Sequence, residues 1–255
     1  KQNGKHSFAF YDAQMTADAA ERLELESDLR KALENNEFKL VYQPKVSVID
    51  ERVAGVEALI RWIHPVRGFV SPDNFIDTAE RIGLINEIGE WVIETASLQQ
   101  QQWKAQGLQL EMAVNVSSSH FSSDNFVQYV ESIQQRYDIK DGELEIEITE
   151  SMSRDTAKHI NVCKELHQKG IKVAIDDFGT GYSSLSVLKQ LQVNTLKVDR
   201  SFIQHLPDDE SSALMVKAIV AMGLGLGFDI VAEGVETEAQ TLFLRQLGSP
   251  YIQGY

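Results

Sequence analysis

Only one cysteine, Cys163, stands in 255 residues, so an internal disulfide is excluded and a reducing compartment fits. That thiol reads as a small core residue on a helix. No apolar run approaches the roughly 20 residues that a membrane span needs, and the first residues do not read as a signal peptide. Positive charge is scarce as well: 24 Lys and Arg against 38 Asp and Glu give a net charge of −14. Tracking a nucleic-acid backbone needs basic stripes, so an extended nucleic-acid surface is excluded. A small phosphate ligand stays open, provided cations or local Arg and Lys sit between the charges. Repeats, low-complexity stretches and interdomain linkers are also missing. The chain reads as a soluble, cytoplasmic domain.

What is present is an alternation of strand and helix, with 43% hydrophobic residues to fill one large core. Residues 17–36 read as a charged amphipathic helix, with Leu23, Leu25, Leu29, Ala32 and Leu33 set among charges. Strands are predicted at 38–43, 53–62, 111–116, 144–149, 171–176, 194–198, 229–233 and 250–253, mostly separated by segments of helical periodicity. Gly170 suits a helix C-cap just before the strand it feeds. The pattern predicts an α/β fold, a (β/α)8 TIM-type barrel with an additional N-terminal helix.

A doubly wound sheet would read similarly, and polar residues decide between the two. Parallel strands buried on both faces are nearly continuous apolar runs. Here Glu145, Glu147 and Thr149 oppose Leu144, Ile146 and Ile148, and Glu57 and Arg61 oppose Val56, Ala58 and Ile60. Likewise Ala113, Asn115 and Ser117 oppose Val114 and Val116, while Thr195, Lys197 and Asp199 oppose Leu196 and Val198. With those parities turned to a barrel axis, polar groups converge at the C-terminal mouth, where such barrels keep their chemistry.

The converging groups are Glu57, Asn115, Glu147, Asp176, Asp177, Lys197, Glu233, Glu236 and Gln253. A single carboxylate on a strand is more often half of a core ion pair than a ligand. Six gathered without cations would repel one another and be pushed towards protonation. Divalent ions relieve that conflict, and an all-oxygen donor set suits Mg²⁺ or Mn²⁺ rather than Zn²⁺. Adjacent Asp176 and Asp177 can serve two ions about 3.5–4 Å apart, the arrangement used for phosphodiester hydrolysis.

Glu57-Ala58-Leu59-Ile60-Arg61 resembles the signature of the EAL family. The likeness extends to Tyr42-Gln43-Pro44, Asn115-Val116-Ser117, Glu147-Ile148-Thr149-Glu150, Asp176-Asp177-Phe178-Gly179-Thr180-Gly181, Leu196-Lys197-Val198-Asp199, Glu233-Gly234-Val235-Glu236 and Gln253-Gly254-Tyr255, in order over residues 22–255. The resemblance implies metal-dependent hydrolysis of cyclic di-GMP to linear 5′-pGpG, with two Mg²⁺ or Mn²⁺ ions. By the same resemblance Glu57, Asn115, Glu147 and Asp176 hold one ion. Asp176, Asp177 and Glu236 hold the other, with Glu233 beside it as ligand or base. Lys197 meets the nucleophilic water, Arg61 a phosphate oxygen, and Gln43, Asp199 and Gln253 the dinucleotide. Glu150 holds the Asp-Asp-Phe-Gly-Thr-Gly loop. A homodimer through the helix after the 177–184 loop is a further family expectation, and biofilm or motility a family output. Residues 1–12 resemble the end of a GGDEF domain. Residues 1–16 are therefore expected to be the tail of an upstream domain or linker, residues 17–255 the EAL barrel, and the closing C-terminal helix to be missing. The resemblance also allows upstream regulatory domains and an inner-membrane anchor in the full-length protein.

The rival within this family is a silent module that binds cyclic di-GMP and signals through conformation; its mark, loss of metal ligands or of the loop-holding Glu, is missing here. A Schiff-base aldolase built on Lys197 needs a desolvated lysine of depressed pKa, whereas carboxylates around Lys197 raise it. The kinase-like triplet Asp177-Phe178-Gly179 lacks its companion motifs. Gly223 to Gly227 precedes a strand rather than following one, so it reads as a helix end and turn. His159 and His167 are read as exposed, His64 as structural beside Pro65, and Trp62, Trp91 and Trp103 as packing residues. The Gln99–Gln102 run reads as a polar helix face.

Overall fold

A turn of five residues decides the direction of the first strand. β1 (Phe38–Ser47) and β2 (Val53–His64) are separated only by residues 48–52. A parallel crossover needs a dozen or more residues, whereas an antiparallel pair closes over a short turn. The Ser47 N–H donates to the Arg52 carbonyl at 2.9 Å, and the Glu51 N–H donates back to Ser47 at 3.0 Å, with Glu51 at φ +60°. The expected barrel therefore has one departure: no helix joins its first two strands, and β1 runs against the rest.

The computed structural model describes residues 13–154, 156–181 and 185–254. After β2 come β3 (Gly68–Val70), β4 (Glu111–Asn115), β5 (Leu144–Thr149), β6 (Lys172–Phe178), β7 (Thr195–Val198), β8 (Asp229–Val235) and β9 (Tyr251–Gly254). The sheet order is β1-β9-β8-β7-β6-β5-β4-β2-β3, and pairing of β1 with β2 closes it. β2 and β4 to β9 are parallel neighbours, and β1 lies antiparallel on β9 with Lys45 opposite Gln253. The result is an eight-stranded TIM-type barrel with surrounding helices. β3, too short to register as a period in the sequence, is a hairpin on the far end of β2 and stands outside the barrel.

Backbone contacts divide the chain into two compact units. The smaller holds the chain up to Lys39 and Arg61–Leu84. Its core is Trp62 against Phe38 and Phe75, with ring centroids 5.9 and 5.5 Å from Trp62. The indole N–H donates to Glu37 at 2.9 Å. His64 Nδ1 accepts the Val66 and Arg67 N–H groups, and Nε2 lies 3.2 Å from Asp28, so this histidine is structural as expected. The first helix (Ala13–Ala32) ends four residues before its predicted end, because the turn that follows at Asn35 and Asn36 puts Asn36 at φ +56°.

The larger unit holds Leu40–Ile60 and Ile85 onwards. The apolar parity of its strands is buried outward, including Val114, Ile146, Ile148, Leu196 and Val198. Long helices cover that parity: Ile85–Ala105, Phe126–Arg136, Thr156–Gln168, Glu210–Leu226 and Glu238–Leu247. Gly170 and Gly227 take φ +73° and +82° at helix ends, as their C-cap roles require. Cys163 is fully buried, and burial pushes its thiol up to about 12.

Two expectations need correction. His159 is buried rather than exposed: one ring nitrogen meets the Met152 carbonyl at 2.6 Å and the other Ser122 Oγ at 2.8 Å. Gln100, within the polar run, is buried and donates to the Leu110 and Glu143 carbonyls at 2.9 and 2.7 Å. In both cases two hydrogen bonds offset the cost of burying a polar side chain, which periodicity alone cannot register. Among the described residues no helix is long and apolar enough to cross a membrane. Residues 1–12 of the expected upstream tail and 182–184 of the expected loop lie outside the described residues.

Candidate metal centre in the barrel mouth

Inside a closed barrel every second residue of a strand faces the axis. β5 thus turns Glu145 and Glu147 inward, β7 Thr195 and Lys197, β4 Asn115, β6 Asp176, β8 Glu233 and β9 Gln253. Lys197, fully buried, is the hub. Its Nζ lies 2.7 Å from Glu147, 2.8 Å from Glu233, 3.0 Å from Asp176 and 3.1 Å from Glu57. Glu57 is fixed further by N–H donors from Asn115 and Gln253, each at 2.6 Å. Gln253 also donates to Gln43 at 3.1 Å, tying β9 to β1.

Adjacent strand residues normally point to opposite faces, yet Asp176 and Asp177 both reach the site. The β6–β7 register shifts between Ile175 and Phe178, and Asp177 adopts φ +54°. Bulges re-aim side chains in this way, and aspartate is among the few non-glycine residues that tolerate the left-handed region. Glu57, Glu147 and Asp176 each bring one oxygen into a set lying within 4.8 Å of one another. Asp176, Asp177 and Glu233 form a second such set, so Asp176 belongs to both.

The charges are unbalanced. Burial would raise Glu57, but Lys197 and the Gln253 N–H hold it down to about 2. Burial and the neighbouring charge of Glu57 push Glu147 well above the usual carboxylate range. Burial lifts Glu233 to about 7, with Asp176 adding to the rise and Lys197 opposing it. Burial, Asp176 and Asp199 together bring Asp177 to about 6. Burial would discharge Lys197, but four carboxylates keep its ammonium well above the ordinary lysine value. Carboxylates driven towards protonation while sharing one ammonium form a donor set that could hold a metal ion.

Glu150, just past β5, is buried and accepts the backbone N–H groups of Gly179 at 3.0 Å and Gly181 at 2.9 Å. A Cβ on Gly181 would stand 2.9 Å from that carboxylate, and Gly179 sits at φ +105° against Phe202. Gly179 is required by its left-handed backbone, and a side chain at 181 would displace the Glu150 carboxylate from its position.

Three expected residues are not members of the two carboxylate sets. Glu236 lies just beyond β8, exposed, and its N–H donates to Gln240 at 2.8 Å; Glu233 occupies the set with Asp176 and Asp177. Asp199 caps the short helix Arg200–Ile203 through the Ser201 N–H at 3.1 Å, near enough to raise Asp177. Arg61 stands four residues beyond Glu57 on β2, in the smaller unit. Sequence reading passed over a polar layer beneath the mouth, formed by Lys45, Glu111, Glu145, Lys172 and Thr195. Lys45 is 2.5 Å from Glu145, Lys172 is 2.5 Å from Glu111, and Thr195 donates to Glu145 at 2.5 Å. The signal was available, because Glu145 shares the parity of Glu147, and Thr195 that of Lys197.

Fold and site together define a TIM-type barrel whose inward strand residues carry an acidic, metal-competent mouth. The sequence profile of the EAL domain matches residues 26–255, and the chain belongs to that family. The bifunctional diguanylate cyclase/cyclic di-GMP phosphodiesterase MucR of Pseudomonas aeruginosa is 43% identical over 257 residues, covering 100% of this chain and 38% of MucR. The oxygen sensor protein DosP of Escherichia coli is 38% identical over 260 residues, covering 100% of this chain and 32% of DosP. The chain thus spans about a third of the length of these relatives. Among solved structures, the MucR phosphodiesterase in complex with c-di-GMP superposes with a TM-score of 0.87 at 44% identity, covering 91% of this chain and 94% of that one. The Pseudomonas aeruginosa FimX EAL domain bound to c-di-GMP gives 0.84 at 25% identity, over 91% and 94% of the two chains.

Proposed function

We propose that this chain hydrolyses cyclic di-GMP to linear 5′-pGpG with the help of two divalent cations, Mg²⁺ or Mn²⁺. The observation that carries the reading is Asp176, which contributes to two three-carboxylate sets at once. The names of its relatives, MucR and the cyclic di-GMP phosphodiesterase NbdA among them, and the c-di-GMP complexes of similar chains support the substrate.

Bound cations would acidify water and offset charge on the phosphoryl oxygens. Glu57, Asn115, Glu147 and Asp176 are assigned to one ion. Asp176, Asp177 and Glu236 are assigned to the other, with Glu233 as ligand or base. Water attacks one phosphorus, the bond to a ribose 3′ oxygen breaks, and that oxygen leaves with a proton. Glu233, in the set with Asp176 and Asp177, is assigned to accept the water proton if it does not ligate an ion. Lys197 keeps its charge and orients the attacking oxygen. Arg61 is assigned to a phosphate oxygen, and Gln43, Asp199 and Gln253 to the dinucleotide. Glu150 keeps the segment after Asp177 closed. In the longer protein we place this domain in the cytoplasm, under upstream regulatory domains that a membrane can anchor. There it pairs with a second copy through the helix Leu185–Leu191.

Incubation with cyclic di-GMP and Mn²⁺, followed by chromatography, tests the reading. Appearance of pGpG supports it. Saturable binding without product assigns the chain to silent effectors instead.

A further inference from the structure

Among the described residues, Lys45 is a buried cation that the proposed mechanism leaves unused. Lys45, on β1, is 3% exposed and shares the barrel interior with Glu145, Glu147 and Glu111. Its Nζ lies 2.5 Å from Glu145 Oε2, 3.3 Å from Glu147 Oε1 and 3.7 Å from Glu111 Oε1. The second oxygen of Glu145 is taken by the Thr195 hydroxyl at 2.5 Å. Glu145, itself held by Thr195, pairs with Lys45 from below, which favours Lys45 staying in place if the Glu147 side chain turns.

Glu147 is divided between two ammonium groups. Oε2 meets Lys197 at 2.7 Å, and Oε1, buried and without a hydrogen-bond partner, lies 3.3 Å from the Lys45 ammonium. Turning both oxygens towards the mouth would strip Lys45 of one of its anions inside the barrel, where an under-compensated charge is costly. A buried ion pair is also a weak source of stability compared with apolar side chains of like volume, so the Lys45–Glu145 pair gains more sense as an orienting device.

We propose that Lys45 is a positioning residue for the metal centre: anchored by Glu145 and Thr195, it holds Glu147 as a one-oxygen ligand with Oε2 in the mouth. The inference rests on the two-cation reading given above. Partners that orient a ligating carboxylate typically change metal affinity 10- to 100-fold when removed.

Calorimetric titration of the protein with Mn²⁺ alone, without nucleotide, tests this. Lys45→Met is expected to weaken Mn²⁺ binding by about 10- to 100-fold. Lys172→Met is the control: Lys172 belongs to the same polar layer, but its ammonium pairs with Glu111 at 2.5 Å rather than with Glu147. It is expected to shift the melting temperature of the metal-free protein and leave Mn²⁺ affinity unchanged. Should Lys45→Met fail to fold, Lys45→Gln carries the same expectation. Unchanged or tighter binding in the Lys45 variant overturns the proposal, as does an equal loss in Lys172→Met. Failure of the wild-type protein to bind Mn²⁺ overturns the metal reading itself, a result distinct from either.

Discussion

Replacing Glu150 by alanine removes the acceptor for two backbone N–H groups, those of Gly179 and Gly181. Hydrogen bonds to a charged group contribute about 1.5–3 kcal/mol each, so the pair contributes roughly 3–6 kcal/mol to closure of this segment. Water reaching the freed N–H groups recovers part of that, and about 3 kcal/mol is the figure to work with. At about 1.4 kcal/mol per tenfold, the closed state of the segment loses about two orders of magnitude. The segment begins at Asp177, which stands in one of the carboxylate sets, so kcat should fall by up to about 100-fold. The loss is local. Were 3 kcal/mol taken from global stability, the melting temperature of a chain this long would drop by roughly 6–12 °C. The expected outcome is a large loss of kcat for cyclic di-GMP with a melting temperature close to wild type. An unchanged kcat, or a loss accompanied by the full drop in melting temperature, would refute the reasoning.

Gly181→Ala should reproduce the Glu150→Ala kinetics, since its Cβ would stand 2.9 Å from the Glu150 carboxylate; wild-type kcat in that variant would contradict the assigned closure. His159→Leu leaves the Met152 carbonyl and Ser122 without their buried partner, at about 2 kcal/mol, and should lower the melting temperature by roughly 4–8 °C. A pH series tests the acidic mouth. Glu233 and Asp177 stand at about 7 and about 6 in the folded protein, above their unfolded values near 4.3 and 3.9. The folded state thus holds these protons more tightly. The stability they contribute is full below about pH 4 and is lost as pH rises through about 6 and 7. In EDTA the melting temperature should fall across that window, and saturating Mn²⁺ should remove the fall. A melting temperature that rises there in EDTA would count against the two assignments.

The barrel was readable because each strand kept its polar residues on one parity, and the parity of Glu145 and Glu147, or of Thr195 and Lys197, did turn out to face the axis. Direction was harder. The interval between β1 and β2 is too short for a crossover helix, so the reversal of β1 was implicit in the loop length but concealed by the alternation of the rest. Asp176 and Asp177 could be picked out as a pair, yet only the bulge between Ile175 and Phe178 explains how neighbours on a pleated strand share one site. Glu236, just past the end of β8 and beside the Gln240 cap, is outside the two carboxylate sets, so its assignment to the second ion rests on the motif. His159 shows the same limit from the other side. A histidine amid polar neighbours on a helix reads as exposed, and its hydrogen-bond partners, Met152 in the turn before the helix and Ser122 thirty-seven residues away, leave no trace in helical periodicity.

The most direct test of the whole account is turnover of cyclic di-GMP by wild-type protein and by Asp176→Asn at matched Mn²⁺, each with and without EDTA. The account predicts linear pGpG from the wild type only, abolished by EDTA and by the single substitution in the carboxylate shared between the two sets. Turnover that survives both treatments would contradict the metal centre assigned to the barrel mouth.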